Sequence, residues 1–242
     1  MIDIHNHILP GIDDGADDLD EALAMARMAV ADGIHTIVAT PHCDTRAVHE
    51  FLAERDQAMA ILREALDTNH IPLRLLPGAE CDLDGDLLAI VHDHPQLLLG
   101  DNREALLVEL PAAMPLRALA DLLFEATSAG LQIVWAHPER HPQVARIPTV
   151  LTDLVNAGLH LQISTDSLQL RNGWTTWRTA RKLLGRRLAS ILASDAHDTT
   201  RFPPCLARAA QRAARLNRQD PSLLVQTNPA QLLGLNVIPD LG

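Results

Sequence analysis

Seven short apolar segments recur along the chain, and longer segments with helical spacing of their apolar residues lie between them. Runs of four to six mainly apolar residues are typical of strands that are buried on both faces. The predicted strands cover residues 2–5, 36–39, 73–76, 105–110, 132–135, 160–163 and 188–193.

The intervening segments have the pattern of amphipathic helices. Residues 20–32, for example, carry apolar residues at Leu23, Met25, Met28 and Ala29, and Gly33 is a helix stop. Several helices begin at proline or end at glycine. The predicted helices cover residues 20–32, 47–69, 115–130, 148–158, 175–185 and 203–216.

Strands that alternate with helices predict an α/β fold with a parallel sheet. About seven strand–helix units favour a closed barrel over an open sheet, and chains of this length commonly form one such domain. No linker, low-complexity tract or repeat interrupts the pattern. We therefore expect residues 1–242 to form a single domain.

Composition narrows the classes of function. The chain has 31 acidic and 20 basic residues, a formal net charge of -11, and only 2% aromatic residues with no tyrosine. Nucleic-acid binding depends on neutralising phosphates and stacking bases, so this composition argues against a nucleic-acid partner. The acidic, histidine-rich start predicts no signal peptide, and no apolar run is long enough to predict membrane insertion. Three cysteines without C-x-x-C spacing favour a cytoplasmic location.

Side chains that bind metals stand at the carboxyl end of most predicted strands. In a parallel barrel these ends meet on one face, and residues two apart on a strand point the same way. His5 and His7 can therefore reach one ion together, as can Asp195 and His197. The candidates at strand ends are His5, His7, His42, Glu80, Glu109, His137, Asp195 and His197.

The other histidines are interpreted as structural or solvated. His92-Asp93-His94 follows a helix-like run and precedes Pro95, so we expect a solvated loop there. Single histidines are more often structural than ligands, although His141 is near enough to His137 to line the rim of the site. The single histidines are His35, His49, His70, His141 and His160.

The candidate ligands offer only nitrogen and oxygen, which suits Mn, Fe, Zn or Mg ions rather than a thiolate site. Their number predicts two or three divalent ions. A site of this kind is typical of phosphoester hydrolysis, in which ions clamp phosphate oxygens and activate water.

The motifs at these positions resemble the PHP (polymerase and histidinol phosphatase) superfamily, and within it the bacterial PHP-type protein-tyrosine phosphatases of capsule and exopolysaccharide operons. The matching motifs, in the family's order, are MIDIHNHILPGIDDGA, GIHTIVATPH, PGAE, LLVEL, AHPER, ASDAH and NPAQLLG. The resemblance covers nearly the whole chain. It implies a distorted (β/α)7 TIM-like barrel, the PHP fold, with a trinuclear metal site in which manganese is the foremost candidate.

The resemblance also implies how the ligands divide among three ions. The first ion would be held by His5, His7, Glu80 and Asp195, the second by Glu80, Glu109 and His137, and the third by Asp14, His42 and His197. Glu80 would bridge two ions. Asp13 is the weaker candidate of the acidic pair, because Asp14 matches the family motif.

Two arginines complete the site that the resemblance implies. Arg140 in HPER matches a family arginine that contacts phosphate, and a guanidinium suits phosphate oxygens. Arg201 is assigned a similar part, but the family's second arginine lies about one residue later, where this chain has Phe202. A solvated surface role for Arg201 therefore stays open. Ser167 is a candidate for the rim.

The expected activity is hydrolysis of phosphotyrosine in the tyrosine-containing tail of a bacterial tyrosine kinase that controls polysaccharide synthesis, by attack of a metal-bridging hydroxide. A cysteine-type phosphatase is excluded, because no arginine stands six residues after any cysteine. Three alternatives stay open. They are a small-molecule phosphatase acting on a substrate such as histidinol phosphate, a PHP exonuclease, and a non-catalytic module that keeps metals for stability. The oligomeric state is left open.

Overall fold

The computed structural model describes residues 1–83, 86–146 and 149–236. Within these ranges nine strands alternate with eight α-helices. The strands are β1 (Ile2–Asn6), β2 (Thr36–Ala39), β3 (His42–Cys43), β4 (Arg74–Pro77), β5 (Glu80–Asp82), β6 (Ala105–Glu109), β7 (Gln132–Ala136), β8 (His160–Ser164) and β9 (Ile191–Ala193). The helices are α1 (Leu19–Ala31), α2 (Val48–Thr68), α3 (Leu87–Asp93), α4 (Arg117–Ser128), α5 (Thr149–Asn156), α6 (Gly173–Gly185), α7 (Ala207–Asn217) and α8 (Asn228–Leu232).

All the strand pairs are parallel, as predicted, but they form two sheets. One sheet has the order β1-β2-β4, and the other has the order β3-β5-β6-β7-β8-β9. A single bridge between Asn6 and Ala196 joins the ends of β1 and β9. Among the described residues the ladders do not form one continuous closed barrel, so the coarser prediction, an α/β fold with parallel strands, is what the structure bears out.

The chain crosses from the first sheet to the second at two places, between β2 and β3 and between β4 and β5. The second crossing needs Gly78, since a Cβ there would lie 2.8 Å from Cγ1 of Val38. After the crossings, His42 and Glu80 pair directly in the register of β3 and β5. These two candidates therefore begin short strands of their own instead of ending the strands predicted before them.

Some predicted helix boundaries need correction. The helix predicted from residue 203 begins at Ala207, and α3 was not predicted. His92 and Asp93 therefore end a helix and do not lie in a loop, although both are exposed as expected. Pro148, where another helix was predicted to begin, lies outside the described residues.

One buried apolar cluster draws on strands of both sheets. Ile4 of β1 and Val38 of β2 pack in it together with Leu107 of β6, Val134 of β7 and Ile191 of β9. A larger cluster fills the space between the strands and the helices. The two sheets therefore share one interior. No helix of the described residues combines the length and apolarity needed to cross a bilayer.

Candidate metal centre

The structure brings all nine candidate ligands together at the carboxyl ends of the strands. Their nitrogen and oxygen atoms form overlapping groups in which every atom lies within 4.8 Å of the others. The groups are His5, His7 and Glu80; His5, His137 and Asp195; His42, Glu80 and Glu109; and His7, Asp14, His42 and His197. One continuous cluster results.

Glu80 lies at the centre of the cluster and is almost fully buried. Its Oε2 atom is 3.2 Å from Nε2 of His5, 3.5 Å from Nε2 of His7 and 3.2 Å from Nδ1 of His42. Its Oε1 atom is 3.0 Å from Nε2 of His137. Oε2 has no hydrogen-bond partner among the described residues. A buried carboxylate oxygen that faces three ring nitrogens without a hydrogen bond has the environment of a metal ligand, so these residues fit divalent ions.

Asp195 closes the buried side of the cluster. Its Oδ1 atom lies 3.3 Å from Nε2 of His5 and 3.6 Å from Nε2 of His7. Its other oxygen accepts a hydrogen bond of 3.1 Å from the Ser164 hydroxyl and contacts Arg140 at 2.5 Å. Asp195 thus links the candidate metal ligands to the arginine.

The outer side of the cluster is more exposed. Oδ1 of Asp14 lies 3.4 Å from Nε2 of His197 and 3.6 Å from Nε2 of His42. The side chain of Asp14 is 69% exposed and that of His42 is 44% exposed. Water and substrate can therefore reach this side.

Several distances bear on the ligand sets that the family resemblance implies. Oε1 of Glu109 lies 3.9 Å from Nε2 of His137, a separation that two ligands of one ion can have, and Glu109 also groups with His42 and Glu80. His137 lies 3.0 Å from Oε1 of Glu80 and also groups with His5 and Asp195. The nine residues are thus together as expected, while their division among three ions stays a prediction.

Two of the candidate ligands have left-handed backbone conformations. His137 follows β7 with φ of 33°, and Asp195 follows β9 with φ of 54°. This region is unfavourable for residues other than glycine, and such strain is concentrated at functional sites. The strands therefore end abruptly at the residues whose side chains turn into the cluster.

The loop that carries Asp13 and Asp14 folds tightly against His7. A Cβ on Gly15 would lie 2.0 Å from the carbonyl oxygen of His7, so only glycine permits this approach. Asp13 is not in any metal group. Its carboxylate lies 2.6 Å from Nδ1 of His7 and accepts hydrogen bonds from the backbone N–H groups of Gly15 and His42.

Asp13 and Gln162 are positioning residues that the sequence interpretation missed. Asp13 fixes the proton of His7 on Nδ1, and Oε1 of Gln162 does the same for His5, whose Nδ1 is 2.9 Å away. Both histidines then present Nε2 to the cluster. The sequence feature that could have identified Gln162 is its position as a polar residue within a predicted buried strand. The feature that could have identified Asp13 is the turn sequence Asp-x-Gly, which begins at this residue.

Replacing Asp13 by asparagine is expected to weaken metal binding by about 10- to 100-fold, because an amide can orient His7 but does not raise the basicity of its Nε2 atom as a carboxylate does. Metal competition against a chromogenic chelator measures the effect. Asp17→Asn, an exposed change in the same loop, is the control. Equal affinities for the Asp13 variant and its control would contradict the role of Asp13.

Opposite charges in the cluster shift its pKa values. Burial disfavours a charged His5, but Glu80 and Asp195 outweigh burial and raise its pKa to about 9. In the same way, burial opposes ionisation of Glu80, yet the rings of His5 and His137 hold the Glu80 pKa well below its usual range. Without metal ions, His5 therefore carries a proton near neutral pH.

Metal binding is accordingly expected to release about one proton or more per chain near neutral pH, because ions bind the neutral imidazole. Metal affinity should fall as the pH is lowered below 9. Titration calorimetry in two buffers of different ionisation enthalpy measures the released protons. An identical heat in both buffers would contradict protonated rings in the metal-free chain.

Arg140 and Arg201 line the same cleft beside the cluster. The cleft has a volume of about 390 Å3, and its walls are formed by Asp14, Arg140, Asn172, Asp195, His197, Asp198, Arg201 and Phe202. Arg140 contacts Asp195 and lies 3.5 Å from Asp166. The guanidinium of Arg201 lies 5.4 Å from the centre of the Phe202 ring. Both arginines thus line the cleft next to the candidate metal ligands, and their contact with phosphate stays a prediction.

Two expected rim residues are buried instead. Ser167 is 1% exposed and His141 is 4% exposed. Nε2 of His141 lies 3.1 Å from the carbonyl oxygen of Met114, and its ring packs edge-on against Trp135. His141 therefore has a structural role, and neither side chain lines the cleft.

Comparison with known proteins gives concordant results. Residues 1–234 match the family model described as "Capsular polysaccharide synthesis, CpsB/CapC". The tyrosine-protein phosphatase YwqE of Bacillus subtilis is 36% identical over 198 residues, which cover 82% of this chain and 78% of YwqE. The putative tyrosine-protein phosphatase CapC of Staphylococcus aureus is 28% identical over 203 residues, which cover 84% of this chain and 79% of CapC.

A solved structure agrees with the whole described fold. It is one of a set of crystal structures of YwqE from Bacillus subtilis and CpsB from Streptococcus pneumoniae. These two proteins are described as unique metal-dependent tyrosine phosphatases. It aligns with a TM-score of 0.83 and 32% identity over 98% of this chain and 96% of that chain. The resemblance inferred from the sequence motifs is confirmed, and this chain belongs to the CpsB/CapC family of capsular polysaccharide synthesis.

Proposed function

We propose that this protein is a metal-dependent protein-tyrosine phosphatase that removes phosphate from a bacterial tyrosine kinase controlling capsule or exopolysaccharide synthesis. The observation that carries the proposal is the unpaired Oε2 of Glu80, buried among histidine nitrogens and next to a cleft that contains Arg140. The names of YwqE, CapC and CpsB as tyrosine-protein phosphatases support the same activity.

Three sets of residues would hold the ions. We keep His5, His7, Glu80 and Asp195 for the first ion, Glu80, Glu109 and His137 for the second, and Asp14, His42 and His197 for the third. When bound, such ions would lower the pKa of water and polarise phosphate oxygens. Manganese is the first ion to test, followed by iron, zinc and magnesium, all of which accept nitrogen and oxygen ligands.

The residues of the cleft suit an aryl phosphate. Arg140 would hold the phosphate oxygens, and Arg201, which lines the same cleft, would contact them as well. Phe202 offers an apolar ring in the same cleft, against which a phenyl ring can pack. Water attacks phosphorus as the bond to the phenolic oxygen breaks, and tyrosine and inorganic phosphate leave. A phenol with a pKa of about 10 is a good leaving group.

We further propose that the chain is one domain with a distorted (β/α)7 barrel. If β2 and β3 form one interrupted strand, and β4 and β5 another, the strands follow each other in chain order around a ring of seven. The bridge between Asn6 and Ala196 and the apolar cluster shared by both sheets support this arrangement. The cytoplasm is the expected location, because the phosphorylated tail of such a kinase would lie there.

The test compares kcat/KM of the manganese-loaded protein on a phosphotyrosine peptide and on histidinol phosphate. His42→Ala serves as the blank, since it removes a candidate ligand that is exposed to solvent. A strong preference for the peptide that is lost in the variant is expected. A preference for histidinol phosphate would contradict the proposed substrate and favour a small-molecule phosphatase with the same site.

A further inference from the structure

Positive charge is concentrated in one part of this acidic chain. Residues 171–218 contain eleven of the 20 basic residues but only two of the 31 acidic residues. The rest of the chain is therefore strongly negative. The basic residues of this segment lie mainly on α6 and α7, which pack against each other. A segregated basic face on an acidic protein indicates attraction to an anionic partner.

A groove between α6 and α7 lies within this basic face. Its volume is about 600 Å3, and Leu168, Leu170 and Trp177 give it apolar walls. Three guanidinium groups line it as well, from Arg181, Arg212 and Arg215. We call this feature the α6–α7 groove.

Two tryptophans lie at the groove although the chain has few aromatic residues: Trp177, which is half-buried and lines it, and Trp174, which is exposed beside Trp177. Trp174 is 59% exposed, and its ring stacks on that of Trp177 at 4.6 Å. The guanidinium of Arg181 lies 4.5 Å from the centre of the Trp177 ring, in a cation–π contact. Leu170 beside them is 45% exposed. Exposed tryptophan and arginine around an apolar pocket are the composition of protein-binding hot spots.

The groove and the catalytic cleft share one segment of chain. Asn172 lines the cleft and donates a hydrogen bond to Asp166, which lies beside Arg140. Leu168 lines the groove, and its carbonyl oxygen accepts a hydrogen bond from Arg212. From residue 172 to residue 177 the chain rises by about 7.5 Å in a helix. An extended peptide covers that length with about two or three residues.

We propose that the α6–α7 groove binds an acidic segment with an apolar side chain that lies a few residues from the phosphotyrosine of the polypeptide substrate. The proposal rests on the proposed phosphatase function and adds the chemistry of the substrate's flank. Carboxylates of the flank pair with Arg181 and Arg215, and the apolar side chain packs on Trp177. A concave pocket with apolar walls fits a peptide side chain, whereas a bilayer presents a flat surface.

The test uses the full-length, manganese-loaded protein and two phosphotyrosine peptides. One peptide carries glutamates and a leucine on both sides of the phosphotyrosine, and in the other each glutamate is replaced by glutamine. A third substrate, 4-nitrophenyl phosphate, has no flank. The variant is Arg181→Gln with Arg215→Gln. The matched control is Arg186→Gln with Arg208→Gln, which makes the same charge change at exposed positions outside the groove.

The Arg181/Arg215 variant is expected to raise KM for the acidic peptide about five- to tenfold, the size of two weak ion pairs, with kcat unchanged. The glutamine peptide and 4-nitrophenyl phosphate should be turned over as by the wild type, which also shows that the variant is folded. An equal rise of KM for the acidic peptide in the control variant, or no rise in either variant, would overturn the proposal that the groove binds the flank. Binding to phosphatidylglycerol vesicles that is lost in the variant, with peptide kinetics unchanged, would overturn it in favour of a membrane.

Failure of the proposed function gives a different result. If 4-nitrophenyl phosphate is hydrolysed and neither phosphopeptide is, the proposed function fails. The groove is then judged by fluorescence anisotropy with the labelled acidic peptide lacking phosphate. Weaker binding of this peptide to the Arg181/Arg215 variant than to the control variant upholds the proposed role of the groove, and equal binding to both overturns that role.

Discussion

Replacing Glu80 by glutamine is expected to lower kcat/KM on a phosphotyrosine peptide by at least about a thousandfold and to lower the metal content of the protein. The carboxylate of Glu80 faces nitrogens of His5, His7, His42 and His137 at 3.0 to 3.5 Å. An amide has the same shape but lacks the negative charge that holds divalent ions. Loss of the negative charge at this one position therefore affects metal binding by the whole cluster.

Metal analysis and kinetics on the same preparation test this result. Glu54→Gln on α2 makes the same chemical change at an exposed position and should leave both quantities unchanged. Thermal unfolding of the two metal-free variants shows whether the fold survives. A Glu80→Gln protein with full metal content and activity within about tenfold of the wild type would contradict the central place of Glu80.

Replacing Arg140 by lysine is expected to lower kcat/KM by about a hundredfold while the metal content stays the same. Arg140 contacts Asp195 at 2.5 Å and lies 3.5 Å from Asp166, so its guanidinium is held in one orientation at the cleft. Partial desolvation lowers the pKa of Arg140, but the nearby carboxylates of Asp195 and Asp166 outweigh it and raise this pKa, which keeps Arg140 charged at any working pH. Lysine keeps the charge, but it cannot hold two carboxylates and a phosphate with a planar fork.

Inhibition by inorganic phosphate separates the two roles of Arg140. If Arg140 binds phosphate directly, the inhibition constant for phosphate should rise together with the loss of kcat/KM. Arg146→Lys, an exposed change a few residues further on, is the control. Unchanged phosphate inhibition in the Arg140 variant would show that this arginine only positions Asp195.

The alternation of strands and helices was predictable because it depends on local apolar periodicity. Six predicted strands match strands of four or five residues within one residue at each end, and the seventh covers the shorter β9. Strands β3 and β5 were missed since two or three residues carry no periodic signal. Their existence depends on Gly78 and the neighbouring crossings, which are tertiary features. The division into two sheets could not be foreseen for the same reason.

The candidate ligands were predictable to a different degree. Metal-binding residue types at strand ends gave eight of the nine positions, and family resemblance added Asp14. Residues that orient the ligands were harder to identify, because Asp13 and Gln162 bind through hydrogen bonds that only the folded chain forms. The grouping of Glu109 with His42 depends on distances between strands, which sequence spacing does not contain. The α6–α7 groove likewise exists only once two helices pack.

The most direct test of the metal centre is reconstitution of the chelator-stripped protein. We expect the stripped protein to hydrolyse a phosphotyrosine peptide at less than about a thousandth of the initial rate, since several kcal/mol of barrier reduction depend on the ions. Activity should return as manganese is added and should level off at a fixed ratio of ions to chains. Full activity in protein from which metal analysis finds all divalent ions removed would contradict a metal-dependent phosphatase.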